Sequence, residues 1–209
     1  MEGICEINGI ELHPPIPPIV GKYGGHLLIL GCGRTVWDDL KVAQQLFENT
    51  GLAYHVMAIN MAFMGLEGMY RQQKITIDHF VSLHQEYLWL RNIYLRTNTI
   101  THGKVMAPNT DYCWDLNRGG TGGLFALRIA MALGYHKIII CGVPLEGDGR
   151  FFDAPDQGGD SGCMAVKMEF DYFKNNLDKQ YHGRIRAMSG YTKKVWGEAT
   201  KEWVCGQLL

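Results

Sequence analysis

An α/β fold with a doubly wound, mostly parallel sheet is predicted by three observations. Short apolar runs without polar alternation, as at 27–30 and 138–141, suit parallel strands covered on both faces. Glycine-rich turns follow or precede these runs, at GCGRT (31–35) and GGTGG (119–123). Between them lie segments of helical period, so strand and helix alternate along the chain.

The elements follow in order. Residues 1–25 read as a short strand or hairpin and then HPPIPP, whose prolines forbid regular helix and favour an extended tether. Residues 27–30 form a strand, Gly31 and Gly33 the turn, and Thr35 an N-cap with Asp38 and Asp39 in the first helical turn. Val36, Leu40, Ala43, Leu46 and Phe47 make the inward stripe of that helix, which stops before Gly51. A strand at 54–59 ends at Asn60. A Met-rich helix or lid at 61–71 reads as an interface between copies of the chain as readily as a cover. Further strands are expected at 78–83, followed by His84, and at 104–107, with a helix at 86–96 between them. The helix at 124–133 is apolar nearly all round, with Arg128 its lone charge, and Gly134 stops it. After the strand at 138–141 come a loop from Gly142 to Gly149, a helix at 164–181, a last strand at 184–188 and a helical or irregular tail at 192–209. The expected organisation is an N-terminal extension, 1–25, and a single Rossmann-like α/β domain, 26–209.

Composition narrows the function classes. The chain has 209 residues, 46% of them hydrophobic, enough for one well-packed domain. Twenty basic side chains against 21 acidic ones leave a net charge of -1, so generic nucleic-acid binding is not expected. No apolar stretch approaches the ~18 residues of a membrane span, and a cytoplasmic location is expected. Six scattered cysteines form no CxxC pair, so neither a zinc ribbon nor a disulfide framework is indicated.

The chemistry-bearing residues gather at predicted strand ends, where α/β proteins hold ligands. GCGRT lacks the third glycine of a dinucleotide fingerprint, and no acidic residue ends the second strand, which disfavours NAD. Gly31 and Gly33 read equally as a tight turn or a phosphate contact, and Arg34 shifts the balance slightly toward phosphate, since a guanidinium beside free N–H groups suits one. Gly120, Thr121, Gly122 and Gly123 allow close backbone approach at a helix start and supply a hydroxyl, but GGTGG has no P-loop lysine. Asn60, Asn109 and Pro144 complete the candidate binding set. His84, Glu146, Asp148 and Asp153 are the candidate catalytic residues, His84 as a general base and the carboxylates as holders of a metal or sugar. Phe151 or Phe152 offers a ring to stack on a ligand, and Tyr191 a cover for the same edge. A packing or loop role is the competing reading for each of these.

The segment from GGTGG through ALRIAMALGY to KIIICGVPL resembles the corresponding part of a bacterial sialyltransferase family that modifies surface oligosaccharides. It is also similar to domains related to archaeal 6-hydroxymethylpterin pyrophosphokinase. LGCGRTVWDDL, with Arg186 to Thr192 as R-x-M-S-G-Y-T, resembles proteins of unassigned function encoded by tailed phages and prophages, and this likeness covers most of the chain. The first resemblance implies a cytidine-monophosphate sugar as ligand, with the small-residue loop near the nucleotide. Thr121 replaces a serine of that pattern, Pro144 stands near its acidic position, and its histidine base has no counterpart here. The second implies Mg²⁺ held by carboxylates, for which Asp111, Asp115, Glu146, Asp148 and Asp153 are available. The third implies a bacterial host cytoplasm.

The leading expectation is a phage-type protein binding a small-molecule nucleotide or nucleotide sugar, glycosyltransferase-like if it turns over. The strand-end loops would surround the ligand. A non-catalytic interaction protein on the same fold and a Mg²⁺-dependent phosphotransferase are the alternatives.

Overall fold

The computed structural model describes residues 4–64, 75–88, 98–116, 120–154, 164–177 and 179–206. In chain order the elements are β1 (Cys5–Ile7), β2 (Ile10–Leu12), β3 (His26–Leu30), α1 (Val36–Glu48), β4 (Tyr54–Ile59), β5 (His79–Ser82) and α2 (Gln85–Leu88). Then follow β6 (Ile100–Gly103), β7 (Tyr112–Cys113), α3 (Gly122–Leu133) and β8 (Lys137–Cys141). The chain closes with α4 (Met164–Asn176), α5 (Lys179–His182), β9 (Ile185–Ala187), α6 (Gly190–Trp196) and α7 (Lys201–Cys205). The fold is α/β and Rossmann-like, and every neighbouring strand pair described below apart from the N-terminal hairpin is parallel. The chain comprises two compact units, residues 1–24 with 55–135 and residues 25–54 with 136–209.

In the first unit the strand order is β7-β6-β5-β4, with Met57 opposite His79, His79 opposite Ile100 and His102 opposite Tyr112. Helix α3 is its central support. Nine of its residues are buried, which explains an apolar pattern that runs round the helix, and Arg128 is half-buried. The Thr121 side-chain oxygen accepts from the Leu124 N–H at 3.4 Å and starts the helix. Gly134 ends it at φ 102°, where a Cβ would run into backbone of Gly21 and Tyr23. Residues 4–24 pack on this helix. Asn8 and Gly9 turn the β1–β2 hairpin with positive φ at both, Ile10 and Leu12 are buried, and the Asn8 amide donates to the Met131 carbonyl at 2.9 Å. Beyond HPPIPP, the N–H groups of Gly21 and Tyr23 donate to Ala132 and Leu133 and so satisfy carbonyls in the last turn of α3.

The second unit has the strand order β3-β8-β9, with Leu28 opposite Ile139 and Ile139 opposite Arg186. All five residues of β8 are buried, as the unbroken apolar run requires. On α1 the predicted stripe holds, with Val36, Leu40, Ala43 and Phe47 buried and Leu46 half-buried. Lys137, at the start of β8, donates to the carbonyls of Trp203, Val204 and Gly206, and His26 Nε2 lies 3.1 Å from the Val204 carbonyl. A buried ammonium thus satisfies the carbonyl end of α7 and offsets its own desolvation.

Three local expectations need correction. The strand expected at 104–107 is instead β6 at Ile100–Gly103; Thr101 and His102 are buried polar residues, while the apolar Val105 and Met106 are exposed in the following loop. Thr35 does not cap α1: its φ/ψ are helical and its hydroxyl donates to Asp39 at 3.0 Å rather than accepting an N–H. The helix expected over 164–181 is broken into α4 and α5. Most of the 61–71 helix or lid and the later part of the 86–96 helix lie outside the described residues.

Candidate functional site

In the second unit three strand-end loops lock onto one carboxylate. Gly31 and Gly33 follow β3, Gly142 to Arg150 follows β8, and Met188 to Tyr191 follows β9. Oδ2 of the buried Asp39 accepts from the Gly142 N–H at 2.8 Å, from Thr35 Oγ at 3.0 Å and from Ser189 Oγ at 2.6 Å. The two hydroxyls are themselves 2.8 Å apart. Gly31 and Gly33 are glycines because the β8 loop lies against them. A Cβ on Gly33 would fall 2.5 Å from Pro144 Cδ and 2.8 Å from the Gly142 carbonyl, and one on Gly31 would meet Gly142 and Val143. The N–H groups of Gly31 and Gly33 donate to the Cys141 and Gly142 carbonyls, at 2.8 Å each. The Pro144 carbonyl accepts from the Tyr191 N–H at 2.6 Å, and Thr192 Oγ donates to the Val143 carbonyl at 2.8 Å.

The motifs LGCGRTVWDDL, GVPL and MSGYT therefore meet as one clip around the buried Asp39. Its polar groups face one another. Arg34 spends its guanidinium on the carbonyls of Arg150, Asp153 and Ala154, tying down the loop after β8. Asp153 accepts from the Arg150 N–H at 2.6 Å, Glu146 pairs with Lys194 at 3.0 Å, and Asp148 is exposed. Phe151 packs edge-on against Trp37 at 5.1 Å, whereas Phe152 is exposed beside the Arg150 guanidinium. The Tyr191 hydroxyl donates to Asp171 at 2.6 Å, a bond that raises the phenol pKa. Burial lifts the Cys141 thiol well above its ordinary value, so this cysteine is a core residue and not a nucleophile.

The first unit gathers a different set at the carboxyl ends of β4 and β5. Asn60 follows β4 with φ 49° and donates its N–H to the Val81 carbonyl at 3.0 Å. Its side-chain Oδ1 accepts from Ser82 Oγ at 2.8 Å, which leaves the amide nitrogen as the outward donor. That nitrogen lies 3.1 Å from where a Cβ on Gly122 would stand, so the first residue of α3 rests on Asn60. Helix geometry leaves the N–H groups of Gly122 and Gly123 without intrahelical acceptors, and Thr121 is spent on Leu124. His84 accompanies this edge: its N–H donates to Ser82 Oγ at 3.0 Å, and its exposed ring has Nδ1 3.5 Å from Glu86 Oε1.

Of the predicted residues in this unit, Asn60, Gly122 and Thr121 share a local site, with His84 joined to it through Ser82. Gly120, at φ 56°, leads into the helix. Asn109 sits apart in the turn after β6, with φ 70° and its carbonyl accepting from Thr101 Oγ. Ser82 went unrecognised in the sequence, although a serine ending an apolar strand one strand away from Asn60 is a readable signal. Among the described residues no three His, Cys, Asp or Glu side chains converge as metal ligands. Also among the described residues, no helix is long and apolar enough to cross a membrane. A scan against protein-family models finds no match to this sequence, and a search of curated proteins finds none either.

Proposed function

We propose that the chain binds a nucleotide or nucleotide sugar, with a phosphate seated at the N-terminus of α3. One observation carries this reading: the amide nitrogen of Asn60 stands against a helix start that has no side chain at Gly122 or Gly123. A buried twelve-residue helix directs its positive end there, and backbone N–H groups and a neutral amide donor recognise a phosphate without a lysine. The Ser82 hydroxyl fixes the rotamer of Asn60, which turns donor nitrogen rather than acceptor oxygen toward the helix. The likeness of GGTGG and the following helix and strand to the sialyltransferase segment supports a nucleotide sugar, and a glycosyltransferase-like activity, over other phosphates. The likeness of the wider chain supports a phage-type protein working in a bacterial host. Binding is the better supported half, because, of the predicted catalytic residues, His84 alone lies at this edge among the described residues.

The test is a thermal-shift panel of nucleoside mono-, di- and triphosphates and nucleotide sugars on the wild type and on Asn60→Asp. A ligand at about 100 times its Kd stabilises by about 2.7 kcal/mol. That corresponds to a rise in Tm of about 5–10 °C for a chain of this size. Aspartate tolerates the left-handed backbone but places a negative charge where the phosphate would sit, so the variant should lose the response. No stabilisation of the wild type by any member of the panel, or an undiminished response in the variant, contradicts the proposal.

A further inference from the structure

The first unit contains a buried chain of polar aromatic side chains that ligand binding at α3 does not use. Trp114 Nε1 lies 3.0 Å from His102 Nδ1, and His102 Nε2 lies 3.1 Å from His79 Nδ1. His79 Nε2 is 2.8 Å from the Tyr135 hydroxyl, which is 2.6 Å from His55 Nδ1. Trp114, His102, His79 and Tyr135 are fully enclosed, and His55 is half-buried. An indole N–H only donates, so His102 Nδ1 accepts and its hydrogen is on Nε2. His102 therefore donates to His79, and His79 to Tyr135. His79 and His102 are then neutral Nε2–H tautomers, with their hydrogens pointing from Trp114 toward Tyr135.

We propose that this one-way chain is an acid switch: it has no place for an additional proton, so proton uptake at His79 or His102 opens the first unit where Tyr135 anchors the C-terminal end of α3. A proton added at His79 Nδ1 faces the His102 Nε2–H. Moving the His102 hydrogen to Nδ1 sets it against the Trp114 N–H, and either arrangement buries two opposed donors. The groups packed around the chain give no relief. Tyr23 stacks on Tyr135 at 5.4 Å and sits edge-on to His79 at 5.0 Å, and Tyr112 of β7 stacks on His102 at 6.1 Å. Asp78, ahead of β5, commits Oδ2 to the Val56 N–H at 2.8 Å, and His55 of β4 brings a like charge when protonated. Burial, then the neighbouring His55, holds His79 down to about 3; burial, then His79, holds His102 well below its ordinary value.

The direction follows from linkage. Both imidazoles take up protons near pH 6.5 when unfolded and resist them when folded, so the unfolded state binds more protons in a window that for His79 runs from about 3 to 6.5. Stability is complete above that window and is lost as pH falls through it. Each imidazole lowers the folded-to-unfolded ratio by about eightfold between pH 6 and pH 5, and the pair by about 60-fold.

The test combines side-chain ¹⁵N spectra of the full chain with urea unfolding at pH 7.5, 6 and 5, for the wild type and His102→Gln. Glutamine can accept from Trp114 and donate to His79, so it keeps the chain and removes one titrating ring. The expected results are Nε2–H tautomers for His79 and His102, and a loss of stability between pH 6 and pH 5 that is about eightfold smaller in the variant. An Nδ1–H tautomer at His79 or His102, titration of either ring above pH 5 in the folded protein, or an unchanged acid dependence in the variant overturns the proposal. Should the variant fail to fold, the wild-type tautomers and titrations decide it.

Discussion

Replacing Asp39 by alanine removes the acceptor on which the three loops of the second unit converge. The cost follows from what is left behind. The Gly142 N–H is buried and has Asp39 Oδ2 as its acceptor at 2.8 Å, so it loses its partner at about 1–3 kcal/mol. Thr35 and Ser189 lose less, because their hydroxyls are 2.8 Å apart and can bond each other; about 1 kcal/mol covers both. The total is about 2–4 kcal/mol, or a fall in Tm of about 4–16 °C. Asparagine in the same place retains one acceptor oxygen, which can serve Gly142 or the hydroxyls but without charge assistance, and Asp39→Asn should cost about 1–2 kcal/mol. Urea unfolding with an unchanged m-value measures both variants. Adding Ser189→Ala closes a double-mutant cycle, and the 2.6 Å bond between Ser189 and Asp39 predicts a coupling of about 1 kcal/mol. An Asp39→Ala protein within about 1 kcal/mol of wild type, or a coupling of zero, would refute the clip as the element holding these loops.

Gly142→Ala should be at least as damaging, because Gly142 has φ 67° and a Cβ would overlap the Val36 side chain; a loss of about 2–4 kcal/mol in the same assay is expected. Lys137→Met leaves the terminal carbonyls of α7 without their buried donor, so amide exchange at 201–206 should accelerate markedly while that of β4 to β6 is unchanged.

How much of this was legible in the sequence depended on whether burial and polarity coincided. Strands β3, β4 and β8 and helix α3 are apolar where they are buried, so periodicity placed them within a residue or two. Strand β6 broke that rule. Its Thr101 and His102 are buried because side chains from elsewhere satisfy them, Asp111 accepting from Thr101 and Trp114 donating to His102, and no local pattern announces such partners. The meeting of Asp39 with Ser189, 150 residues away, was equally hidden, although both motifs stood out separately. Thr35 shows the converse failure: a good capping residue at a helix start was drawn into a tertiary network instead. Among the candidate binding residues, Asn60 and Gly122 were identified one by one from strand-end and loop chemistry, and their contact came from the parallel topology that places α3 beside β5.

The proposed function requires a phosphate at the start of α3. The most direct measurement follows the backbone amide resonances of Gly122 and Gly123 and the side-chain amide of Asn60 while cytidine monophosphate and other nucleoside monophosphates are titrated into the ¹⁵N-labelled protein. Saturable downfield shifts at Gly122 and Gly123, with a matching change at Asn60, are predicted for at least one of them. Resonances there that stay fixed throughout, or shifts confined to other parts of the chain, would contradict it.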